Sequence, residues 1–281
     1  MGRLKNVRDT RVGKNGTMAK GVMIYSPFGD IVGGGTGQKL DEVGTTQYYD
    51  IGTRYVTGDG RVYRYAKAAG TLIPGQGCMP PAKQLVAYRS IAAVVTAGSN
   101  VVSLTITTDD GATGVIATNE LKGGYIVIFD ATSTNLSTNR MIVSNVATTG
   151  AGTLTLTLDD GVPLALTTSD FGECMASPYK DIVVAASEVR GVVGIPCVAA
   201  TSGQYLWIQT WGVCWIATQL DAGTALMDRQ LVFRHDGSCD KHDYADAKNG
   251  FAQHAGFMLQ NGVAAETPTQ GAPFIMLQIS I

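Results

Sequence analysis

Residues 191–218 read GVVGIPCVAATSGQYLWIQTWGVCWIAT, and this stretch predicts the centre of the fold. It carries no charged residue. It holds all three tryptophans of the chain, Trp207, Trp211 and Trp215. A spacing of four places these side chains on one face of either a helix or a strand. Strands are favoured because Val, Ile, Tyr, Trp and Thr dominate the stretch, and because glycines interrupt it.

The stretch is expected to form a β-hairpin, with residues 204–209 and 213–218 as its arms and residues 210–212 near the turn. Alternation along the first arm places Leu206 and Ile208 on one face. The other face then carries Tyr205, Trp207 and Gln209. Because both faces are mostly apolar, we expect the strand to be buried on both sides, or on one side and against a partner chain. The residues expected in the core or at a subunit interface are Tyr205, Trp207, Trp211 and Trp215.

The composition of the chain indicates a β-rich protein with a surface poor in charge. Its 281 residues suffice for one large or two modest domains, and its 35 glycines point to many tight turns. Charged residues make up 16% of the chain, against roughly 25% in an average soluble domain. Such a surface suits a protein that packs against others. A net charge of −2 makes no electrostatic case for nucleic acid as a partner.

No membrane span and no secretory signal are predicted. Every apolar run is interrupted before it reaches roughly 18 residues, the length that a transmembrane helix needs. The start of the chain lacks the apolar segment of a signal peptide. We therefore expect a protein that is made in a cytoplasm and has no membrane partner.

The first forty residues are basic and are expected to form an extended arm. Residues 1–40 contain seven Lys or Arg and two Asp, whereas residues 91–180 contain eight acidic residues and three basic ones. The arm shows no hydrophobic periodicity, so it does not predict a folded unit. Either it is a solvated terminus or it becomes ordered on a partner.

The five cysteines are widely spaced, form no CxxC pair and are odd in number. They therefore predict buried, reduced thiols rather than a disulfide framework. The cysteines are Cys78, Cys174, Cys197, Cys214 and Cys239.

The best metal-like cluster is the H-x3-C-x2-H pattern of His235, Cys239 and His242. A structural zinc site needs four ligands, usually with a CxxC or HxxxH pair, and this pattern lacks both. A polar loop is the favoured interpretation, and no metal or other cofactor is predicted.

An internal repeat organises the middle of the chain. Residues 103–118 (SLTITTDDGATGVIAT) align without gaps to residues 153–168 (TLTLTLDDGVPLALTT). Each copy predicts a strand, an Asp-Asp-Gly turn and a second strand. The paired acids could bind calcium, but their spacing is not that of an EF-hand loop, and Asp favours turns because it bonds the local backbone. Turn chemistry is the favoured role of Asp109, Asp110, Asp159 and Asp160.

The fold class expected is mainly β, with a β-sandwich or barrel-like base domain, an inserted smaller β domain and an extended N-terminal arm. The arm is residues 1–40, the base is 41–90 with 181–281, and the insertion with the repeat is 91–180. Within the base, residues 50–69 predict a hairpin with its turn at 57–60, and residues 273–281 predict a closing strand.

Catalytic signatures are missing from the sequence. No GxSxG motif occurs, and the three histidines are confined to residues 235–254. Little is therefore left for general base chemistry elsewhere in the chain. We expect the protein not to be an enzyme, and we assign no catalytic residue.

Four segments of the base carry a resemblance to a known family. They are AKAAGTLIPGQGCM, VRGVVGIPCVAATSGQYLWIQTWGVCWIAT, AGTALMDRQLVFRHDG and HAGFMLQNGVAAETPTQGAPFIMLQISI. Their succession resembles the capsid decoration (cement) proteins of tailed bacteriophages, mostly over residues 60–80 and 190–281. A G-x-Y-x-W-I-Q-x-x-G motif begins at Gly203. The repeat-bearing insertion departs from the simplest members of that family.

The resemblance implies a β-rich homotrimer that sits on the outer surface of an icosahedral capsid and bridges neighbouring major capsid proteins. The expected location is the virion. The basic arm would contact the capsid through Arg3, Lys5, Arg8, Arg11 and Lys14. Two alternatives remain open. One is another virion β protein, such as a tail or minor capsid component, and the other is a carbohydrate-binding module that uses its tryptophans.

Overall fold

The structure is a computed structural model. It describes residues 23–25 as backbone, and residues 37–81, 85–129, 131, 137–185, 190–217, 229–243, 252–259 and 274–280 in full. All the regular structure in these residues is β, and none of them lies in a helix. The chain is therefore mainly β with curled, barrel-like sheets, as the sequence predicts. No helix in the described part of the chain has the length and apolarity to cross a membrane.

The described residues contain nineteen strands. In chain order they are β1 (Met23–Tyr25), β2 (Arg54–Val56), β3 (Val62–Lys67), β4 (Cys78–Met79), β5 (Val86–Ser90), β6 (Val101–Ile106), β7 (Val115–Ile116), β8 (Tyr125–Phe129), β9 (Ser137–Asn145), β10 (Thr148–Thr149), β11 (Gly152–Leu158), β12 (Phe171–Met175), β13 (Val183–Val184), β14 (Ile195–Pro196), β15 (Tyr205–Trp215), β16 (Gln230–Phe233), β17 (Cys239–Lys241), β18 (His254–Met258) and β19 (Phe274–Gln278).

The larger sheet has nine strands in the order β1-β2-β3-β15-β19-β18-β16-β17, with β14 also paired to β15. The hairpin predicted within residues 50–69 is confirmed as β2 and β3, which pair antiparallel. The predicted closing strand is confirmed as β19, which lies between β15 and β18. Strands from both ends of the chain therefore meet in one sheet.

The hairpin predicted within residues 204–218 is wrong, because Tyr205–Trp215 form the single strand β15. Its first half pairs with β3 and its second half with β19. The register shifts between Gln209 and Trp211, and Gly212 has a φ of +95°. This is a β-bulge, in which the glycine accommodates the left-handed backbone while the strand continues.

The first half of β15 is buried on both faces, which is one of the two arrangements expected from its apolar faces. On one face, Leu206 and Ile208 join an aliphatic core with Leu72. On the other face, the indole of Trp207 lies among the rings of Tyr49, Tyr55 and Tyr65, at centroid distances of 5.2, 5.3 and 5.0 Å. Its Nε1–H donates to the carbonyl of Gln38 at 3.0 Å, so the buried polar atom is satisfied.

The second large sheet has six strands in the order β5-β12-β8-β9-β11-β6. Its two end strands meet again, because Ile91 forms a bridge with Leu104 and the Ala92 N–H donates to the Ser103 carbonyl at 2.8 Å. The sheet therefore curls into a barrel whose interior is filled by aliphatic side chains. We call it the barrel and the nine-stranded sheet the main sheet.

The repeated segments lie side by side in the barrel. Strands β6 and β11 pair antiparallel with Leu104 opposite Leu154, so the first predicted strand of each copy is confirmed. The second strand of each copy is not formed at the length expected. In the described residues 159–170 only Leu166 makes a bridge, and β7 is two residues long.

A short two-stranded ladder stands where the chain passes between the two sheets. Strand β4 precedes the barrel and β13 follows it, and the two pair antiparallel. The six-stranded sheet takes its residues from Val86 to Met175. The division into an arm, a base and an insertion stays a prediction.

One buried amide holds the loop of residues 117–124 against the barrel. The Asn145 side chain is 3% exposed; its Oδ1 accepts from the Leu121 N–H at 2.9 Å, and its Nδ2 donates to the Ala117 carbonyl at 2.8 Å. Leucine at this position would leave the buried Leu121 N–H and the Ala117 carbonyl without these partners. Replacing Asn145 with Leu is expected to lower the free energy of unfolding of the barrel by about 2–4 kcal/mol. Urea denaturation followed by circular dichroism measures the effect.

Asn139 provides the matched control, because it lies on the same strand and exposes its side chain. Asn139→Leu should change stability by less than about 0.5 kcal/mol. Equal losses in the two variants would contradict the role assigned to the Asn145 amide.

Candidate functional site

The outer surface of the main sheet carries an apolar patch built by three neighbouring strands. Trp215 of β15 lies opposite Phe274 of β19, whose carbonyl accepts the Leu259 N–H at 3.0 Å. In the adjacent row, Val213 lies opposite Met276, and Met276 lies opposite Phe257 of β18. We call the surface formed by these six residues the apolar face.

Five of these side chains are 40–51% exposed: Val213, Trp215, Phe257, Leu259 and Phe274. None of the six residues is charged. The opposite side of the same strands is core, because Cys214, Ile275 and Met258 pack together there. The strands are thus apolar on both faces, although only one face is covered by the described chain. Contiguous exposed patches of this kind mark interaction surfaces in soluble proteins.

A glycine in a neighbouring loop seats the Trp215 indole at the edge of the apolar face. Gly75 has a φ of +76°, and a Cβ added there would overlap the indole ring. The Gly75 N–H donates to the Pro196 carbonyl at 3.1 Å, and its own carbonyl accepts the Ala217 N–H at 2.9 Å. The ring therefore rests on ordered backbone and presents its other side outward.

The four residues expected in the core or at an interface fall into different environments. Trp207 is fully enclosed, and Tyr205 is partly buried and stacked on Tyr65 at 5.9 Å. Trp211 is partly buried beside the bulge, where it pairs with both β3 and β19. Trp215 belongs to the apolar face. The even spacing of the three tryptophans suggests that they form one row on the strand. The bulge and the change of pairing partner along β15 place them in different environments instead.

The proposed capsid contacts of the basic arm cannot be placed. They lie outside the residues that the structure describes: Arg3, Lys5, Arg8, Arg11 and Lys14.

The aspartates of the two Asp-Asp-Gly turns bond their surroundings in the protein. The buried carboxylate of Asp110 accepts from the Thr107 N–H at 2.8 Å, the Ala87 N–H at 3.0 Å and Arg89 Nε at 2.7 Å. In the second copy, Asp159 accepts from the Met141 N–H at 3.0 Å. The bond from Thr107 is local turn chemistry, the favoured role, whereas the bonds from Ala87, Arg89 and Met141 connect each turn to other strands.

The environment of Asp110 predicts an acid-sensitive barrel. Burial disfavours its ionised form, but the bonds from Arg89, Thr107 and Ala87 outweigh burial and hold its pKa below the ordinary value of 3.8. A carboxyl with a lowered pKa stabilises the fold above its unfolded pKa, and this contribution is lost as the pH falls through the folded pKa. We expect the wild type to lose stability below about pH 4, and Asp110→Asn to lose less over the same range. Urea unfolding between pH 2 and about pH 7 measures both.

At neutral pH, Asp110→Asn should itself cost on the order of 2 kcal/mol, because bonds to a charged acceptor are lost. Asp109→Asn is the matched control, since the Asp109 side chain is 87% exposed. It should follow the wild-type pH profile. An Asp110→Asn profile parallel to that of the wild type would contradict the assignment.

The His235, Cys239 and His242 pattern does not assemble a metal-ligating group. Cys239 is fully buried in the main core, and no three His, Cys, Asp or Glu gather as metal ligands among the residues described. The loop is instead ordered by Asp236, whose carboxylate accepts from the N–H and hydroxyl of Ser238 at 3.0 and 2.6 Å. The polar-loop interpretation therefore describes only the turn before Cys239, because Cys239 begins strand β17 and its side chain is in the core.

All five cysteines are free, as predicted. Four of them are buried, but Cys197 is exposed, which differs from the expectation that every thiol is buried. Burial, with a smaller contribution from Cys197, raises the pKa of the Cys214 thiol to about 12, so it stays protonated at neutral pH.

Sequence reasoning did not single out Phe257, Leu259 and Phe274 as functional. The available signal was the alternation of the closing strand, which places Phe274 and Met276 on the same face. That alternation does not tell which face is covered. The turn in which Asp170 accepts from the N–H and hydroxyl of Thr167 was also missed, because Asp170 lies two residues beyond the aligned repeat.

Comparison with known proteins yields no relative. No protein-family model, curated protein or solved structure matches this chain.

Proposed function

We propose that the chain is a structural virion protein that forms a homotrimer and decorates an icosahedral phage capsid, stabilising it by bridging neighbouring major capsid proteins. The observation that carries this proposal is the uncharged apolar face on β15, β19 and β18. It supports a permanent contact between subunits. The four segments that resemble capsid decoration proteins support a location on a phage capsid. Three of these segments contribute residues or strands next to the face: Gly75, β15 and β19.

A second copy of this chain is the occupant that best fits the apolar face. Interfaces between identical subunits are more apolar than transient ones, and their buried centres are depleted of charged residues. The face has two aromatic rings side by side, Trp215 and Phe274, with Phe257 in the next row. Large rings of this kind dominate the energy of protein interfaces. Because none of these six residues is charged, a partner surface needs no complementary charge to bind them.

The capsid would be engaged by a different part of the chain. The basic residues of the first forty positions suit an acidic partner surface, and in a trimer three such arms would bind together. Linking several weak contacts raises the overall affinity by avidity. In this arrangement the apolar face of the main sheet forms the contacts between the subunits of the trimer, and the arms bind the trimer to the capsid.

The arm is testable by truncation. Deleting residues 1–20 is expected to weaken capsid binding by at least about tenfold while the trimer stays intact, because the apolar face is untouched. Co-sedimentation with particles measures binding, and sedimentation velocity measures the trimer. Binding that is unchanged by the deletion would remove the arm from the mechanism.

Copy number in purified particles tests the function as a whole. The proposal predicts on the order of hundreds of copies per particle, as a symmetric shell requires. A few dozen copies or fewer would instead indicate a tail or minor capsid component. Absence of the chain from particles would contradict both. The carbohydrate-binding alternative relies on accessible tryptophans, and Trp207, enclosed by tyrosines, is not available for it.

A further inference from the structure

A cleft of about 390 Å³ lies between the barrel and the main sheet, and both contribute to its walls. Asp50, Lys67 and Tyr205 line it from the main-sheet side, and Asn119 and Lys122 from the barrel side. Lys180 lines it from the segment that leaves the barrel. Its volume falls in the range of small-molecule sites, roughly 300–1,000 Å³.

Ordered backbone positions the walls of the cleft. The loop with Asn119 and Lys122 is held by the Asn145 amide, and the Gly123 N–H donates to the Ile142 carbonyl at 2.9 Å. The segment with Lys180 is tied to the end of β3, because the Lys67 N–H donates to the Tyr179 carbonyl at 3.0 Å. The site is therefore largely formed before any ligand arrives.

One ammonium group of the cleft, that of Lys180, forms no ion pair with a carboxylate of the described residues. Lys122 pairs with Asp50 at 2.7 Å, and Lys67 pairs with Asp181 at 3.2 Å. Lys180 Nζ instead donates to the backbone carbonyl of Glu120 at 2.6 Å, and in the described part of the chain no carboxylate lies within 4.0 Å of it. Burial lowers the pKa of Lys180, although Asp181 and Glu120 partly offset this effect.

Two further polar groups at the cleft are free to bond a ligand. Asn119 and Tyr205, which carry a side-chain amide and a hydroxyl, are among the residues that line the cleft. Neither makes a hydrogen bond to a described residue. The carboxylate of Glu120 accepts the Ala117 N–H at 2.6 Å, and in the described residues it forms no ion pair with Lys180.

We propose that this cleft binds a small polar molecule that carries an oxyanion, either a carboxylate or a phosphate. Lys180 supplies the positive charge that faces the oxyanion, and Asn119 and Tyr205 bond the polar remainder. A partly buried ammonium with a single backbone partner gains a strong charge-assisted bond when an oxyanion enters. This site goes beyond the proposed capsid role. It lies at the opposite end of β15 from the apolar face, about 30 Å along the strand.

Isothermal titration calorimetry with the full chain tests the site, using galacturonate, galactose and inorganic phosphate as probes. Galacturonate and galactose share a sugar ring, and only the former has a carboxylate. Galacturonate is expected to bind with a Kd of about 1 mM or lower, and galactose at least about tenfold more weakly. Phosphate binding as tight as that of galacturonate would show that the oxyanion alone suffices. Weaker phosphate binding would show that the sugar hydroxyls contribute. Equal binding of galacturonate and galactose would overturn the proposal.

Substitutions of single residues test whether the Lys180 ammonium binds the oxyanion. Lys180→Met should weaken galacturonate binding at least about tenfold, and Lys180→Arg should retain most of it. Lys39→Met, which removes the same charge from an exposed surface pair with Glu42, should leave binding unchanged. If Lys180→Met does not fold, Asn119→Asp places a negative charge at the exposed rim and should weaken binding similarly. Unchanged binding in either cleft variant would overturn the assignment.

Discussion

Replacing Phe274 with glutamate is expected to convert the proposed trimer into a monomer. Phe274 lies beside Trp215 in the apolar face and is 51% exposed in the isolated chain. In a subunit contact, the glutamate carboxylate would be buried without a partner. The dissociation constant should rise about 1,000-fold, equivalent to roughly 4 kcal/mol, because a buried unpaired charge is strongly unfavourable. Sedimentation velocity over a range of micromolar concentrations measures the change.

Two further measurements make this result interpretable. Val94→Glu introduces the same charge at an apolar residue that is 72% exposed but lies in the barrel unit, and it should leave the assembly unchanged. The circular dichroism spectrum of Phe274→Glu should match that of the wild type, because the side chain is not part of the core. A wild-type monomer at these concentrations, or a variant that still assembles, would contradict the proposed interface.

The second large effect is expected for Trp207→Ala. The indole is fully buried among Tyr49, Tyr55 and Tyr65, so its removal leaves a cavity in the main sheet. The expected loss in the free energy of unfolding is about 3–5 kcal/mol. Urea denaturation followed by far-ultraviolet circular dichroism measures it without relying on tryptophan fluorescence.

Two matched substitutions separate the contributions at this position. Trp207→Phe keeps a ring but leaves the Gln38 carbonyl without its donor, and should cost about 1–3 kcal/mol. Trp215→Ala removes the same side chain from the apolar face. It should weaken the proposed trimer, while the stability of the monomer falls less than in Trp207→Ala. Equal losses of monomer stability at Trp207 and Trp215 would show that the two tryptophans do not have the different roles assigned here.

Local patterns anticipated much of the β structure. The alternation of Tyr205 to Gln209 correctly placed Leu206 and Ile208 opposite Trp207, because side chains alternate along any extended strand. The Thr-Gly-Asp-Gly sequence at 57–60 correctly predicted a hairpin between β2 and β3. Turn and strand signals of this kind depend on a few neighbouring residues, so they can be read without knowing the fold.

The Thr-Trp-Gly sequence of residues 210–212 is compatible with either a hairpin turn or a β-bulge, for a physical reason. Gly212 has positive φ, which serves a turn and a bulge equally well. The outcome depends on pairing partners, and β3 and β19 come from distant parts of the chain. The cleft was not anticipated for the same reason, since Asp50, Lys122 and Lys180 are brought together only when the barrel docks beside the main sheet.

Residues 191–218 illustrate which features the sequence specifies and which depend on the tertiary structure. The sequence by itself indicated that residues 205–209 and 213–215 are extended, that both faces of the first of these segments are mostly apolar, and that no charge interrupts them. Only the tertiary structure decided that they form one strand, and that Trp207 is enclosed while Trp215 is exposed. The reason is that alternation specifies two faces but not what covers each, and coverage depends on contacts between residues far apart in the chain.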